Sequence, residues 1–321
     1  AVLNGKIDLV QAEAVGDLID ATAPSQARAA LAQLEGGLSR RLDALRESLV
    51  ELQAVLGYEI DFPEEDDGPV PRERIAQFLD DVHDRIDRLI ATAPAGERLR
   101  EGALVVLAGQ PNAGKSSLFN ALLGETRALV TDIPGTTRDA IEVLTDVAGW
   151  PVRMVDTAGL WESDHAIDQM GIAVSHRYFA AADLVLLCVD GDRALDATEQ
   201  DVITRHSTIV VRTKCDLHPG DVSAHTGAGL AELRENVAAR LFTNQGTFAD
   251  LTPMLTRERH RTALIAARGA LAEARPHVVG GDVVLAAHHI RQATGALEEL
   301  LGVVDVEEVL GRVFAAFCVG K

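Results

Sequence analysis

The chain has only three cysteines in 321 residues, Cys188, Cys215 and Cys318. They are scattered, with neither the spacing of a metal site nor the density of a disulfide framework, so a reducing, cytoplasmic location is expected. Long apolar runs are missing too. The longest are of strand length, which excludes a membrane-spanning helix. Positive charge is scarce: 30 Lys and Arg stand against 49 Asp and Glu, a net charge of −19. Affinity for a phosphate backbone needs clustered cations, so nucleic acid could be held only through a local patch or a partner. What is present, 47% hydrophobic and 25% charged residues, is the composition of a globular chain long enough for two cored domains. A chain that starts at Ala1 without an initiator Met is expected to be a fragment or a processed product.

One stretch is dense with chemistry. Gly109 to Ser117 reads Gly-Gln-Pro-Asn-Ala-Gly-Lys-Ser-Ser, a complete Gly-x-x-x-x-Gly-Lys-Ser phosphate loop. It follows the apolar run Ala103 to Ala108 and precedes Leu118 to Leu123, which reads as helix. That is the strand–loop–helix setting the motif needs. Gly109 and Gly114 let the backbone bend until successive N–H groups point into one concavity. The N-terminus of the following helix adds to its attraction for phosphate oxygens. Lys115 is expected to reach the β- and γ-phosphates, and Ser116 to bind Mg²⁺ through its hydroxyl.

Two motifs downstream extend the pattern. Asp156-Thr157-Ala158-Gly159 closes a second strand-like run, Pro151 to Val155. An Asp at a strand end facing the phosphate loop can hold the water shell of Mg²⁺, and the Gly159 amide can sense a γ-phosphate. Thr213-Lys214-Cys215-Asp216 follows Thr208 to Arg212 and resembles the Asn-Lys-x-Asp base-reading motif of GTPases. There the carboxylate accepts from two N–H groups on the guanine edge, a pattern adenine cannot supply, and the lysine stem packs on the ring. Ser223-Ala224-His225 looks like the short loop whose backbone N–H meets the guanine carbonyl. Together these elements specify a guanine-nucleotide domain. Thr213 stands where Asn is usual, which predicts weaker guanine affinity with specificity kept by Asp216. The short connection from Asp216 to Ser223 leaves little room for a usual sixth strand.

The first hundred residues lack strand alternation and read as long amphipathic helices, at about Leu9 to Ala21, Ser25 to Gly57 with Ser25 as N-cap, and Pro71 to Thr92. Asp61 to Pro69 is an acidic, proline-punctuated stretch, read as a solvated connector. From Ala103 to about Phe242 strands and helices alternate, the signature of a parallel α/β sheet, with Leu184 to Val189 a buried strand. Helical pattern returns over Met254–Ala274, Asp282–Leu301 and Val306–Phe317. The expected architecture is an α/β P-loop GTPase domain with a mostly parallel sheet, residues 101–244, inserted into an all-α helical domain. The halves of that domain are residues 1–100 and 245–321. Trp150 and Trp161 are expected at the surface or near the nucleotide switches. His288-His289 is expected to be a solvated or core pair, not a metal site.

The whole chain resembles the tRNA-modification GTPases of the MnmE (TrmE) family. The resemblance is carried by Leu3-Asn4-Gly5-Lys6, Asp8-Leu9-Val10-Gln11-Ala12-Glu13-Ala14, Asp61-Phe62-Pro63 and Pro111-Asn112-Ala113-Gly114-Lys115-Ser116. It continues through Thr131-Asp132-Ile133-Pro134-Gly135-Thr136-Thr137-Arg138-Asp139 and ends on Phe317-Cys318-Val319-Gly320-Lys321, similar to that family's Cys-Ile-Gly-Lys terminus. The family's N-terminal folate-binding domain, which also carries dimerisation, has no counterpart in the sequence given.

The resemblance implies GTP hydrolysis coupled to carboxymethylaminomethyl-type modification of the wobble uridine of tRNA. It implies a FAD-dependent partner protein, a homodimer with paired G domains, and a heterotetramer with the partner. It places GTP against Asn112 to Ser117, including Ala113 and Ser117, against Thr131 to Thr137, and against the Asp156, Thr213 and Ser223 motifs. K⁺ falls near Asn112, Thr131, Ile133 and Thr136, and Mg²⁺ on Ser116 and Thr137. An ordinary turn residue is the other reading of Asn112, and the whole loop weighs against it. Leu160 occupies the place where a water-orienting Gln is common. The family's water-orienting Glu matches Asp168, whose carboxylate is one methylene shorter, and a helix-start Asp is the other reading of that position. Cys318 corresponds to a cysteine needed for tRNA modification, or closes the last helix as a small apolar residue. Lys6 and Lys321 match positions that contact formyl-tetrahydrofolate, a site incomplete without the N-terminal domain. Two other readings stand beside this one: a ribosome-assembly GTPase of the Era or Der kind, and a GTP-gated scaffold with negligible turnover.

Overall fold

The computed structural model describes residues 1–61, 70–124, 129–130, 141–156, 177–242 and 254–302. In chain order its elements are α1 (Leu9–Ile19), α2 (Pro24–Leu34), α3 (Gly37–Asp61), α4 (Arg72–Ile90), α5 (Ala93–Glu101), β1 (Ala103–Ala108), α6 (Lys115–Leu123), β2 (Leu129–Val130), β3 (Ile141–Val147), β4 (Trp150–Asp156), β5 (Leu184–Asp190), α7 (Ala197–Arg205), β6 (Thr208–Thr213), α8 (Leu230–Phe242), α9 (Glu258–Gly280) and α10 (Val283–Leu301). They form two compact units. One comprises Ala1–Asp20, Ala29–Glu97 and Thr252–Lys321, the other Ala21–Arg28 and Arg98–Leu251.

The helical unit is built on a heptad pattern. On α3 the buried leucines are Leu38, Leu42, Leu45, Leu49, Leu52 and Leu56, alternately four and three residues apart. Ile75, Leu79, Val82, Ile86 and Leu89 repeat that spacing on α4. Leu264, Ala267, Leu271, Ala274 and Val278 do so on α9, and Ala286, Ile290, Ala293, Leu297 and Leu300 on α10. A period near 3.5 residues keeps one stripe facing its neighbours along a helix pair. The four helices close a ring, α3 on α10, α10 on α9, α9 on α4 and α4 on α3. All four stripes meet in a single core. Each buried leucine contributes about 1.5–3 kcal/mol over an exposed one, and the alanines of α9 and α10 let those two helices approach closely. Ion pairs bind the seams: Arg275 to Asp80 at 2.6 Å, Arg268 to Asp87 at 2.9 Å and Arg46 to Glu298 at 3.0 Å.

Two sequence expectations fail here. The single helix expected from Ser25 to Gly57 is two, because the chain turns at Gly36, whose φ of 82° is left-handed. Its amide donates to the Gln33 carbonyl at 2.9 Å, closing α2 before α3 begins. Nor is Ser25 an N-cap. Pro24 is the first residue of α2, the position proline suits. The Gln26 side chain accepts from the Ala23 and Thr22 amides at 3.1 and 2.9 Å. Ser25 lies buried inside the first turn, its amide donating to the Gly149 carbonyl at 3.2 Å.

In the second unit the sheet order is β2-β3-β4-β1-β5-β6. β4, β1, β5 and β6 run parallel, and β2–β3 and β3–β4 pair antiparallel. All six residues of β1 are buried, as a central strand covered on both faces requires. The chain passes from Asp216 to Ser223 without a strand, so β6 stays at the sheet edge. Trp150 corrects a third expectation. It is buried, not a surface aromatic, and stacks on Phe242 with ring centroids 4.5 Å apart. Trp161 lies outside the described residues.

Candidate functional site

In an open α/β sheet the crevice for a ligand lies beyond the C-terminal ends of the strands, where the strand order reverses. Here the chain leaves β1 for β4 on one side and β5 on the other. The phosphate loop sits at that point. Gly109 has φ 136°, and a Cβ there would lie 2.2 Å from the Cys188 carbonyl oxygen, so the loop leaves β1 by a path only glycine can take. Asn112 is left-handed at φ 61°, a conformation that asparagine takes more readily than other non-glycine residues. No side chain caps the first turn of α6, which starts from Gly114. The amides of that turn therefore remain an anion-directed set. Lys115 is buried, its ammonium donating to the carbonyls of Gly109 at 2.9 Å and Gln110 at 2.8 Å. Ser116 and Ser117 are exposed on the same turn.

Asp156, last in β4, pairs in register with Leu107 of β1, two residues before the phosphate loop. Hydrogen bonding of parallel strands thus brings this carboxylate beside the loop. On the other flank, the Thr213 hydroxyl donates to the Ala113 carbonyl oxygen at 2.8 Å, with the Val189 carbonyl oxygen 3.2 Å away. Lys214, left-handed at φ 60°, places its ammonium 2.7 Å from Asp190 Oδ2. The Asp216 carboxylate is held below its ordinary range by the Ser223 hydroxyl first, and then by its own backbone amide. The Cys215 amide donates to the Val222 carbonyl at 3.1 Å, drawing the Ser223 loop against the Thr213 loop. These segments enclose a cavity of about 130 Å³ lined by Gly114, Ser117, Thr213, Lys214, Asp216, Ala224 and His225 among others.

The structure therefore brings together Asn112 to Ser117, Asp156, Thr213, Lys214, Asp216 and Ser223 to His225. Thr131 to Thr137, Thr157 to Gly159, Asp168, Cys318 and Lys321 lie outside the described residues. Lys6 is exposed beyond the short turn Val2–Asn4.

A brace behind the loop was not read from the sequence. Gln110 Nε2 donates to Asp196 Oδ2 at 2.5 Å, tying the phosphate loop to the start of α7. Asp196 and Glu199 form a reciprocal capping box there. The fully buried Glu199 carboxylate also pairs with Arg193. Arg193 and Gly191 in turn offer their carbonyls to Arg212 at 3.0 and 2.9 Å. The signal was Asp196-Ala-Thr-Glu199, an acidic capping box ahead of a helix. What it could not disclose is that the cap's second oxygen receives Gln110.

The chain is similar to known proteins along its whole length. The family model described as the MnmE helical domain matches residues 9–318. The chain is 39% identical over 340 residues to the tRNA modification GTPase MnmE of Aquifex aeolicus, covering 100% of this chain and 75% of that protein. It is 44% identical over 336 residues to the one from Methylorubrum populi, covering 100% of this chain and 73% of that protein. Among solved structures, the G domain of the T. maritima FeoB iron transporter is 26% identical, covering 43% of this chain and 98% of that one, with a TM-score of 0.34. No helix among the described residues is long and apolar enough to cross a membrane. On the family match and the identity across its whole length, the chain belongs to the MnmE family of tRNA modification GTPases and is a GTP hydrolase.

Proposed function

We propose that GTP binds with its base in the cavity between the Thr213 and Ser223 loops and its phosphates over the Gly109–Gly114 loop. Hydrolysis there serves modification of the wobble uridine of tRNA. The observation that carries this reading is the joint lining of one cavity by Gly114 and Ser117 on one side and Asp216, Ala224 and His225 on the other. Asp216 accepts from the guanine N–H edge. Lys115 turns from its loop carbonyls to the β- and γ-phosphate oxygens.

The donor set fits a hard cation, since Ser116 and Asp156 are oxygen ligands flanking the loop. Mg²⁺ held there neutralises charge on the β- and γ-phosphates. Asn112, exposed on the loop at φ 61°, offers an amide oxygen suited to a monovalent cation. Thr131, Ile133, Thr136 and Thr137 complete the two cation sites, and Asp168 orients the attacking water. Pairing of two G domains encloses the K⁺. Cys318 acts in the tRNA reaction, a FAD-dependent protein is the partner, and Lys6 and Lys321 contact formyl-tetrahydrofolate only where the family's N-terminal domain completes the site.

The test is the GTP turnover rate in KCl against NaCl at equal ionic strength, across protein concentration. Activation by K⁺ that steepens with protein concentration is expected. Equal rates in both salts would remove the cation and the G-domain pairing from the reading.

A further inference from the structure

Net charge of −19 sets the chain against any polyanion, yet the helical unit holds a groove of about 600 Å³ in which, among the described residues, the charged lining side chains are all arginines. Arg40 and Arg41 line it from the start of α3, Arg85 and Arg88 from the end of α4, and Leu45 and Leu89 are its buried floor. The four cations are segregated by the bundle itself. On α4, Asp80 and Asp87 are taken up by Arg275 and Arg268 of α9, so the arginines of α4 meet α3 with the acidic side of the helix occupied elsewhere. Arg85 is steered across the seam, donating to Ser48 Oγ on α3 at 3.1 Å, with Asp81 at the rim 3.9 Å away. Arg88 has no ion-pair partner among the described residues.

Arg40 donates to the Glu35 carbonyl at 2.6 Å, just past the end of α2, but the stability of α3 itself does not account for Arg40 and Arg41. They stand in the opening residues of α3, which has no acidic residue in its first turn, and cations at the positive end of a helix are unfavourable. The helix end and the guanidinium groups instead add to one positive potential. Guanidinium forks match phosphate oxygens in pairs. A groove open to solvent, with an apolar floor and cationic walls on both sides, suits an extended phosphodiester chain.

We propose that this groove binds the phosphate backbone of RNA, the tRNA substrate of the function proposed above, on which this inference rests. It answers how a strongly acidic protein holds a polyanion: by position-specific arginines, without general positive charge.

The test is tRNA binding to the 321-residue chain by fluorescence anisotropy from 50 to 300 mM salt, alongside Arg41→Glu/Arg88→Glu and Arg41→Gln/Arg88→Gln. Unchanged GTP affinity and helical circular dichroism certify each fold, and the Gln pair serves if the Glu pair misfolds. The Glu pair is expected to lower affinity at least about tenfold at 0.1 M salt and to reduce the log–log salt slope by about two, the Gln pair by less. Wild-type affinity and slope in both variants would overturn the groove and leave the tRNA reading standing. Absence of salt-dependent tRNA binding by the wild type would overturn both. Unchanged tRNA binding with lost binding to phosphatidylcholine/phosphatidylglycerol vesicles would assign the groove to a membrane and overturn the proposal.

Discussion

Thr213 donates its hydroxyl to the Ala113 carbonyl at 2.8 Å, which fastens the base-reading loop to the phosphate loop across a hundred residues of chain. The usual Asn would make this bond through its amide. A hydroxyl has one proton, so Thr213 keeps the link to the phosphate loop and gives up a second donation. Thr213→Val should then weaken GTP binding about five- to tenfold, near 1 kcal/mol for one buried hydrogen bond lost. Thr213→Asn should tighten it. Titration with a fluorescent GTP analogue checks both, and equal affinity for threonine and valine would show that the link contributes nothing to binding.

Asp216 is aligned by the Ser223 hydroxyl as a pure acceptor. A carboxylate matches guanine's two N–H groups, while an amide matches the N–H and C=O of xanthine. Asp216→Asn is expected to lower GTP affinity about 100-fold, in keeping with a charge-assisted pair worth about 1.5–3 kcal/mol per bond, and to raise XTP affinity. Competition of GTP, XTP and ATP for one fluorescent nucleotide reads this out.

Glu13 makes helical-unit stability depend on pH. Burial raises its pKa, but hydrogen bonds from His260 and Arg259 outweigh burial and hold it at about 2, below the ordinary 4.5. A carboxylate depressed on folding stabilises the fold above its unfolded pKa, and that contribution disappears as pH falls from about 4.5 towards 2. Glu13→Gln should cost roughly 1–2 kcal/mol at pH 7, since solvent screens a partly buried pair, and flatten the dependence of urea resistance on pH across that window. Parallel pH profiles for the two proteins would refute the assignment.

Trp150 stacks on Phe242 and so joins the β3–β4 hairpin to the end of α8. Trp150→Ala should destabilise the sheet unit by about 3–5 kcal/mol. Trp150→Phe, which keeps a ring, should recover most of the loss. Thermal unfolding of the sheet unit followed with and without GTP checks the ranking.

How much was legible in the sequence differed with the range of the interaction. The alternate four- and three-residue spacing of Leu38, Leu42, Leu45, Leu49, Leu52 and Leu56 is local and survives folding intact. The break at Gly36 does have a local signal, the Gly36-Gly37 pair. Two interior glycines cost about 2 kcal/mol together and the dipeptide marks a turn, but the helix-favouring residues on both sides mask it. Ser25 looked like a cap because its residue type suits one, and the hydrogen bonds of Gln26 decided otherwise. Trp150 looked like a surface aromatic because its partner, Phe242, is far along the chain.

By itself the sequence determined the order of the phosphate, Mg²⁺ and base motifs and the heptad stripes of the helices. Those depend on residue type at fixed short spacing, where backbone geometry permits few alternatives. Only tertiary structure decided that Thr213 would reach Ala113, that Gln110 would be braced by Asp196, and that four arginines from two helices would share one groove. Each of these is a meeting of side chains distant in sequence, set by how sheet register and helix packing place them, and no local rule contains that placement.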